Sequence, residues 1–186
     1  MASGNGISPK SVLSGSGRLE DMEKLYAFWK TGEMTNHQFI EAMHEFHRVL
    51  FQYSRYLHGN VVESLQITDQ GVGLTTRAGA RFACDPDDVY GIPLGAFSFG
   101  EIERIAGDLL RRFMPESGVF FDIGANVGWY SLHLAQSRPE AQVYAFEPLP
   151  TTYEWLKRNI ALNGLANLEA FNLGLGEKEE DRKSVV

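Results

Sequence analysis

The stretch from Val119 to Pro148 constrains the fold more than any other part of the chain. It opens with an apolar run, Val119-Phe120-Phe121-Asp122-Ile123, and turns at once through Gly124-Ala125-Asn126-Val127-Gly128. A helical pattern follows, and then a second apolar run, Val143-Tyr144-Ala145-Phe146, which ends in Glu147-Pro148. Short apolar runs of this kind are strands buried on both faces, as parallel strands are. The stretch therefore predicts one β-α-β unit, with a tight loop opening its helix and a carboxylate closing its second strand. Such a unit holds a nucleoside-like ligand at the carboxyl ends of its strands.

Each residue type in the loop has a physical reason. Gly124 lacks a Cβ, so φ can be positive and a ligand can approach the backbone. Asn126 tolerates the left-handed region better than most residues. Gly128 lets the start of the helix lie near the strand. Asp122 and Glu147 end the two strands, and a carboxylate there can accept both hydrogen bonds of a ribose diol. The dinucleotide pattern G-x-G-x-x-G is absent, which counts against a nicotinamide-dependent oxidoreductase.

The loop Asp122-x-Gly124-x-Asn126-x-Gly128 resembles the D-x-G-x-G-x-G loop of class I S-adenosylmethionine-dependent methyltransferases. An acidic residue before the first glycine suits a cofactor that carries a sulfonium and an amino group but no phosphate. More narrowly, Asp122-Ile123-Gly124-Ala125-Asn126-Val127-Gly128-Trp129-Tyr130-Ser131 resembles the signature of the FkbM family of methyltransferases. Phe146-Glu147-Pro148 fits that family's second motif. Asn159-Ile160-Ala161-Leu162-Asn163-Gly164 and Asn172-Leu173-Gly174-Leu175-Gly176 are similar to its next segments. The likeness is strongest over residues 119–176. It implies a Rossmann-like parallel sheet, S-adenosylmethionine as cofactor, and methyl transfer to a hydroxyl of a sugar or secondary metabolite. Cofactor contacts are then expected from Asp122, Gly124, Ala125, Asn126, Gly128, Glu147, Pro148 and Asn172. Asn172 lies near the end of the third strand, where adenine is held in this fold; capping the turn is its other reading. No residue is assigned as catalytic base.

The sheet of that class has more strands than the three legible here, and residues 177–186 are mostly charged. The expectation is thus the N-terminal half of the fold, a truncated chain that binds cofactor weakly and methylates poorly. Val119–Ile123 would then be a sheet edge, and an apolar edge invites pairing with another chain.

The rest of the chain divides into a Ser- and Gly-rich tail over 1–17, a helical and β-meander region over 18–98, and the partial Rossmann-like domain over 99–186. Leu19, Met22, Leu25, Tyr26 and Trp29 recur at helical spacing and predict a helix from Leu19 to Lys30. A second helix opens at a capping-box pattern, Thr35 and Gln38, with Met34 and Phe39 at staple positions. Phe39, Met43, Phe46, Leu50, Tyr53 and Leu57 form its stripe. That stripe either packs within the chain or pairs with a partner, since a four-three pattern is also a coiled-coil seam. In the alternative functional reading, an inactive binding or scaffold module, the helix at 36–57 is the interaction surface. Homo-oligomers would form through that helix or the sheet edge.

Alternation over Val62–Thr68, Val72–Thr76 and Arg81–Cys84 predicts a meander. The acidic turn around Asp85, Asp87 and Asp88 lacks the EF-hand spacing and reads as solvated. Phe99–Phe113 reads as a helix with Ile102, Ile105, Ala106, Leu109, Leu110 and Phe113 as its apolar face. Glu101 sits in a segment similar to one near the family's site entrance, or else serves as a first-turn carboxylate. Pro150 starts a further helix that Asn163-Gly164 ends, and Leu168–Leu173 is the third strand.

Composition narrows the partners. A net charge of −7 with no basic cluster argues against nucleic acid; a small-molecule or carbohydrate substrate is what the family resemblance implies. One cysteine, Cys84, excludes an internal disulfide and suits a reducing, cytoplasmic setting; it reads as a buried structural thiol. No run approaches the length of a membrane span, and no apolar signal core opens the chain. His37, His44 and His47 lack the H-E-x-x-H order, so no metal site is expected. His133 reads as a packing residue.

Overall fold

The computed structural model describes residues 19–88, 91–100 and 104–176. The chain divides into two compact units, one ending at Tyr56 and the next beginning at Leu57. In the first unit, α1 (Leu19–Lys30) is followed by α2 (Asn36–Tyr56). The capping box forms: the Thr35 amide donates to Gln38 Oε1 at 2.9 Å, and the Gln38 amide donates to Thr35 Oγ1 at 3.3 Å. Leu25, Met34 and Ala42 are buried together, with Phe28, Phe39, Met43 and Phe46 against them. Trp29 stacks on Phe39 at 5.0 Å. The first half of the α2 stripe thus packs on α1, whereas Leu50 and Tyr53 farther along it are exposed.

The second unit starts with three antiparallel strands, β1 (Val62–Thr68), β2 (Gly71–Thr76) and β3 (Arg81–Ala83), in that spatial order. Two short helices follow, α3 (Leu94–Phe99) and α4 (Arg104–Phe113). The single helix expected over Phe99–Phe113 is therefore not observed. Gly100 takes φ 72° and its amide caps α3 on Ala96 O, because a left-handed residue ends a helix whatever stripe runs past it. Leu110 packs on the core, but Leu109 and Phe113 are exposed, against the expected apolar face. Glu101 and Ile102 lie outside the described residues.

The β-α-β stretch then forms as expected: β4 (Val119–Ile123), α5 (Trp129–Ser137), β5 (Gln142–Phe146), α6 (Pro150–Asn163) and β6 (Leu168–Phe171). The three strands are parallel in the order β4-β5-β6, with Phe121 opposite Tyr144 and Tyr144 opposite Glu169. Pro150 stands at the first turn of α6, and Gly164 closes it at φ 62°.

The meander shares one core with this sheet, so the boundary expected between 98 and 99 falls instead after Tyr56. Val62, Leu74 and Phe82 are buried in one cluster with Trp129, Leu132, Val143 and Leu156. Phe82 stacks on Trp129 at 5.1 Å. A small antiparallel sheet gains stability by packing its hydrophobic face. Full burial of each large side chain is worth about 1.5–3 kcal/mol, and the helices of the parallel sheet supply the opposing layer.

One face of the parallel sheet is covered by α5 and α6, where Val143 and Ala145 are fully buried. On the other face Phe121, Tyr144, Phe146 and Phe171 stack in a ladder at 5.2–6.2 Å. Among the described residues β4 pairs with β5 alone, and its Val119, Phe121 and Ile123 are 57, 57 and 63 % exposed.

Candidate ligand-binding site

The loop after β4 is shaped by three positive φ angles: 78° at Gly124, 51° at Asn126 and 90° at Gly128. Asn126 is the one non-glycine residue among the described residues in that region. The loop closes on the end of β5, because the amides of Gly124 and Ala125 both donate to Phe146 O at 2.9 Å. Gly128 then donates to Ala125 O at 2.8 Å and begins α5. The two glycines serve different ends. A Cβ at Gly128 would stand 2.7 Å from Leu156 Cδ1, so this glycine lets α6 pack against the start of α5. A Cβ at Gly124 would meet nothing within 4 Å, so the backbone there faces open space.

Glu147 is buried and its carboxylate is anchored at both oxygens. Oε2 accepts from the Asn126 amide and Oε1 from the Leu149 amide, each at 2.9 Å. Each oxygen keeps a second lone pair for another donor. The residue thus ties the glycine loop to the first turn of α6.

Around these groups lies a cleft of about 660 Å³. Gly124, Asn126 and Val127 form one wall, Glu147 the floor, and Thr151, Thr152 and Trp155 of α6 a second wall. The third wall is the acidic turn, Asp85, Asp87 and Asp88. The ionisable groups of this lining are all carboxylates, so the cleft suits a cationic ligand. Its volume lies within the range of small-molecule sites. Sequence reasoning left this turn in solvent, since nothing within residues 85–88 points to a ligand loop some 40 positions away. Packing brings it there. Asp88 is held so close to Gly91 that any side chain at 91 would displace its carboxylate. Among the described residues no three His, Cys, Asp or Glu groups come together as a metal site.

The other residues expected at the site are placed less directly. Asp122 is turned into the protein, not into the cleft: Oδ2 accepts from Ser131 Oγ at 2.6 Å and from the Ser131 amide at 3.2 Å. It therefore holds the first turn of α5. Burial raises its pKa above the ordinary 3.8, the Ser131 hydrogen bonds oppose that rise, and the Glu147 charge adds to it. Asn172 donates through Nδ2 to Glu147 O at 2.8 Å and Pro148 O at 3.2 Å, the contacts of its turn-capping reading. Ala125 and Gly128 are buried beneath the loop, and Pro148 packs 3.4 Å from where a Gly174 Cβ would stand. Cys84 is buried, and its pKa is pushed up to about 11 by that burial, which fits a structural thiol. His133 bridges layers, with Nδ1 2.6 Å from Trp129 O and Nε2 3.0 Å from Thr76 Oγ1.

No family model matches the chain. It is 41 % identical over 63 residues to a protein named methyltransferase sdnD from Sordaria araneosa, covering 33 % of this chain and 24 % of that one. It is 31 % identical over 65 residues to methyltransferase 1 from Beauveria bassiana, covering 35 % and 26 %. The chain thus spans about a quarter of the length of these curated relatives. Among solved structures, the Pyrococcus horikoshii protein TYW2 in complex with MeSAdo superposes with a TM-score of 0.41 at 20 % identity, covering 62 % of this chain and 37 % of that one. No helix among the described residues is long and apolar enough to cross a membrane.

Proposed function

We propose that this chain carries the S-adenosylmethionine site of a methyltransferase of the FkbM type, acting on a hydroxyl of a sugar or secondary metabolite. The observation that carries the reading is the loop itself. Asp122-x-Gly124-x-Asn126-x-Gly128 takes left-handed backbone at each of its last three named residues, between two parallel strands, with a buried carboxylate ending the second. Two relatives named methyltransferases support it.

The residues present fit this cofactor. Gly124 leaves room for close approach, and an all-carboxylate lining favours a sulfonium and an ammonium while repelling a pyrophosphate. Glu147 would take the ribose diol on its free lone pairs, Gly124, Ala125, Asn126 and Gly128 would frame the loop contacts, and Pro148 and Asn172 would flank the adenine. Asp122 would act at one remove, by fixing the start of α5. When bound, S-adenosylmethionine would supply an electrophilic methyl, with the neutral thioether sulfur as its leaving group. The contribution of this chain is alignment, which can be worth several kcal/mol. Its carboxylates also favour the charged ligand before transfer over the neutral product after it.

Titration calorimetry tests the reading. The chain should bind S-adenosylmethionine, and Glu147→Ala should weaken binding by about tenfold or more, since both a diol contact and the loop anchor are lost. A folded chain that binds a nicotinamide dinucleotide in preference would overturn it.

A further inference from the structure

Asn159, in the middle of α6, is fully buried and spans two elements. Its Oδ1 accepts from the Ala83 amide at the end of β3 at 2.8 Å, and its Nδ2 donates to Val127 O in the glycine loop at 2.9 Å. Val127 forms one wall of the cleft, and Ala83 lies two residues before Asp85, which begins the opposite wall. One amide therefore touches the backbone of one wall and of the strand that leads into the other. A turn farther on, Asn163 accepts from the Arg81 amide at 2.9 Å and donates to Arg81 O at 2.7 Å. It completes the strand-to-helix contact without reaching the loop.

We propose that Asn159 is a positioning residue of the ligand site: it holds the glycine loop and the exit of β3 at a fixed separation, and so sets the width of the cleft between Val127 and the acidic turn. The inference rests on the reading of the cleft as an S-adenosylmethionine site for its ligand, and on geometry alone for its mechanics. An amide suits the task, because the strand end offers a donor and the loop an acceptor, and the Asn side chain supplies both complements from one uncharged planar group. Buried, each of these backbone groups would be left without a partner if the amide were removed.

The two asparagines separate positioning from general stabilisation. Asn159→Leu keeps much of the side-chain volume and loses both the acceptor for Ala83 and the donor to Val127. Asn163→Ala loosens β3 and leaves the loop contact alone. Both variants should be less stable than the parent chain, which thermal unfolding reads. Only Asn159→Leu should speed hydrogen exchange at the Asn126 and Gly128 amides, by about tenfold or more in the ligand-free protein. Only it should raise the Kd for S-adenosylmethionine by about tenfold, with Asn163→Ala within about threefold. Should the branched apolar side chain prevent folding, Asn159→Ser, polar and too short to span the gap, is read in the same way. Loop exchange that is unchanged in the Asn159 variant, or raised equally in both, overturns the proposal. A parent chain that does not bind S-adenosylmethionine overturns the proposed function instead, and the exchange comparison still decides the role of Asn159.

Discussion

Asp122 and Glu147 are both carboxylates at strand ends, yet their surroundings give them different chemistry. Glu147 receives two backbone amides and lines the cleft, whereas Asp122 is buried against Ser131 and away from it. Burial is the largest influence on Asp122 and raises its pKa above 3.8. A folded-state pKa above the unfolded one means that the native state binds the proton more tightly. The stability from this group is then present below the unfolded value and is lost as pH rises through the folded value. In Asp122→Asn that titration is gone. The stability of the parent chain relative to this variant should therefore fall as pH rises from about 4, the unfolded value, through the raised folded value, as measured by urea unfolding at several pH values. A relative stability that climbs over the same interval would mean that the Ser131 hydrogen bonds outweigh burial. The conformational demands of the loop were legible from residue types, since Gly and Asn occupy its left-handed positions. Which carboxylate faces the cleft was not. That depends on Ser131, nine residues on, offering both a hydroxyl and a free first-turn amide, and no spacing rule announces such a pair.

At the scale of elements, local signals were reliable where they are self-contained. The capping box at Thr35 and Gln38, the proline opening α6 and the glycine closing it are each satisfied within a few residues. The stripe over residues 99–113 misled because periodicity was weighed above Gly100, a stop signal lying just inside it. The sheet shows the opposite relation, in which pattern and environment disagree. Val119, Phe121 and Ile123 read as a strand buried on both faces, and they are more than half exposed. Exposed apolar strand edges promote self-association. Phe121→Lys should accordingly lower light scattering at a given concentration. Its cost in stability should be about 1–3 kcal/mol, the worth of two aromatic ladder contacts, with Tyr144 and with Phe146. Unchanged scattering with lost stability would show that this strand is not the associating surface.

For the whole molecule, the decisive feature is where the cooperative core ends. Every residue lining the cleft lies between Asp85 and Trp155, and the core cluster beneath it runs from Val62 to Leu168. The meander was expected to belong with the N-terminal helices, as one region over residues 18–98. Contacts assign it to the sheet, since Phe82 and Leu74 complete the layer over α5 and α6 and the Asn159–Asn163 pair fastens β3 to α6. The helices α1 and α2, by contrast, bury Leu25, Met34 and Ala42 in a cluster of their own. A domain keeps its fold when the parts removed share no core with it. A chain beginning at Leu57 should then unfold cooperatively, with a midpoint within about 5 °C of the same transition in the longer chain. It should bind S-adenosylmethionine within about threefold of the parent affinity. Removing residues 57–84 instead should abolish both, because β3 positions the acidic wall and supplies Phe82 to the core. If the chain starting at Leu57 lost its cooperative transition, the helices would be part of the folding unit, and the division at Tyr56 would describe contact density alone.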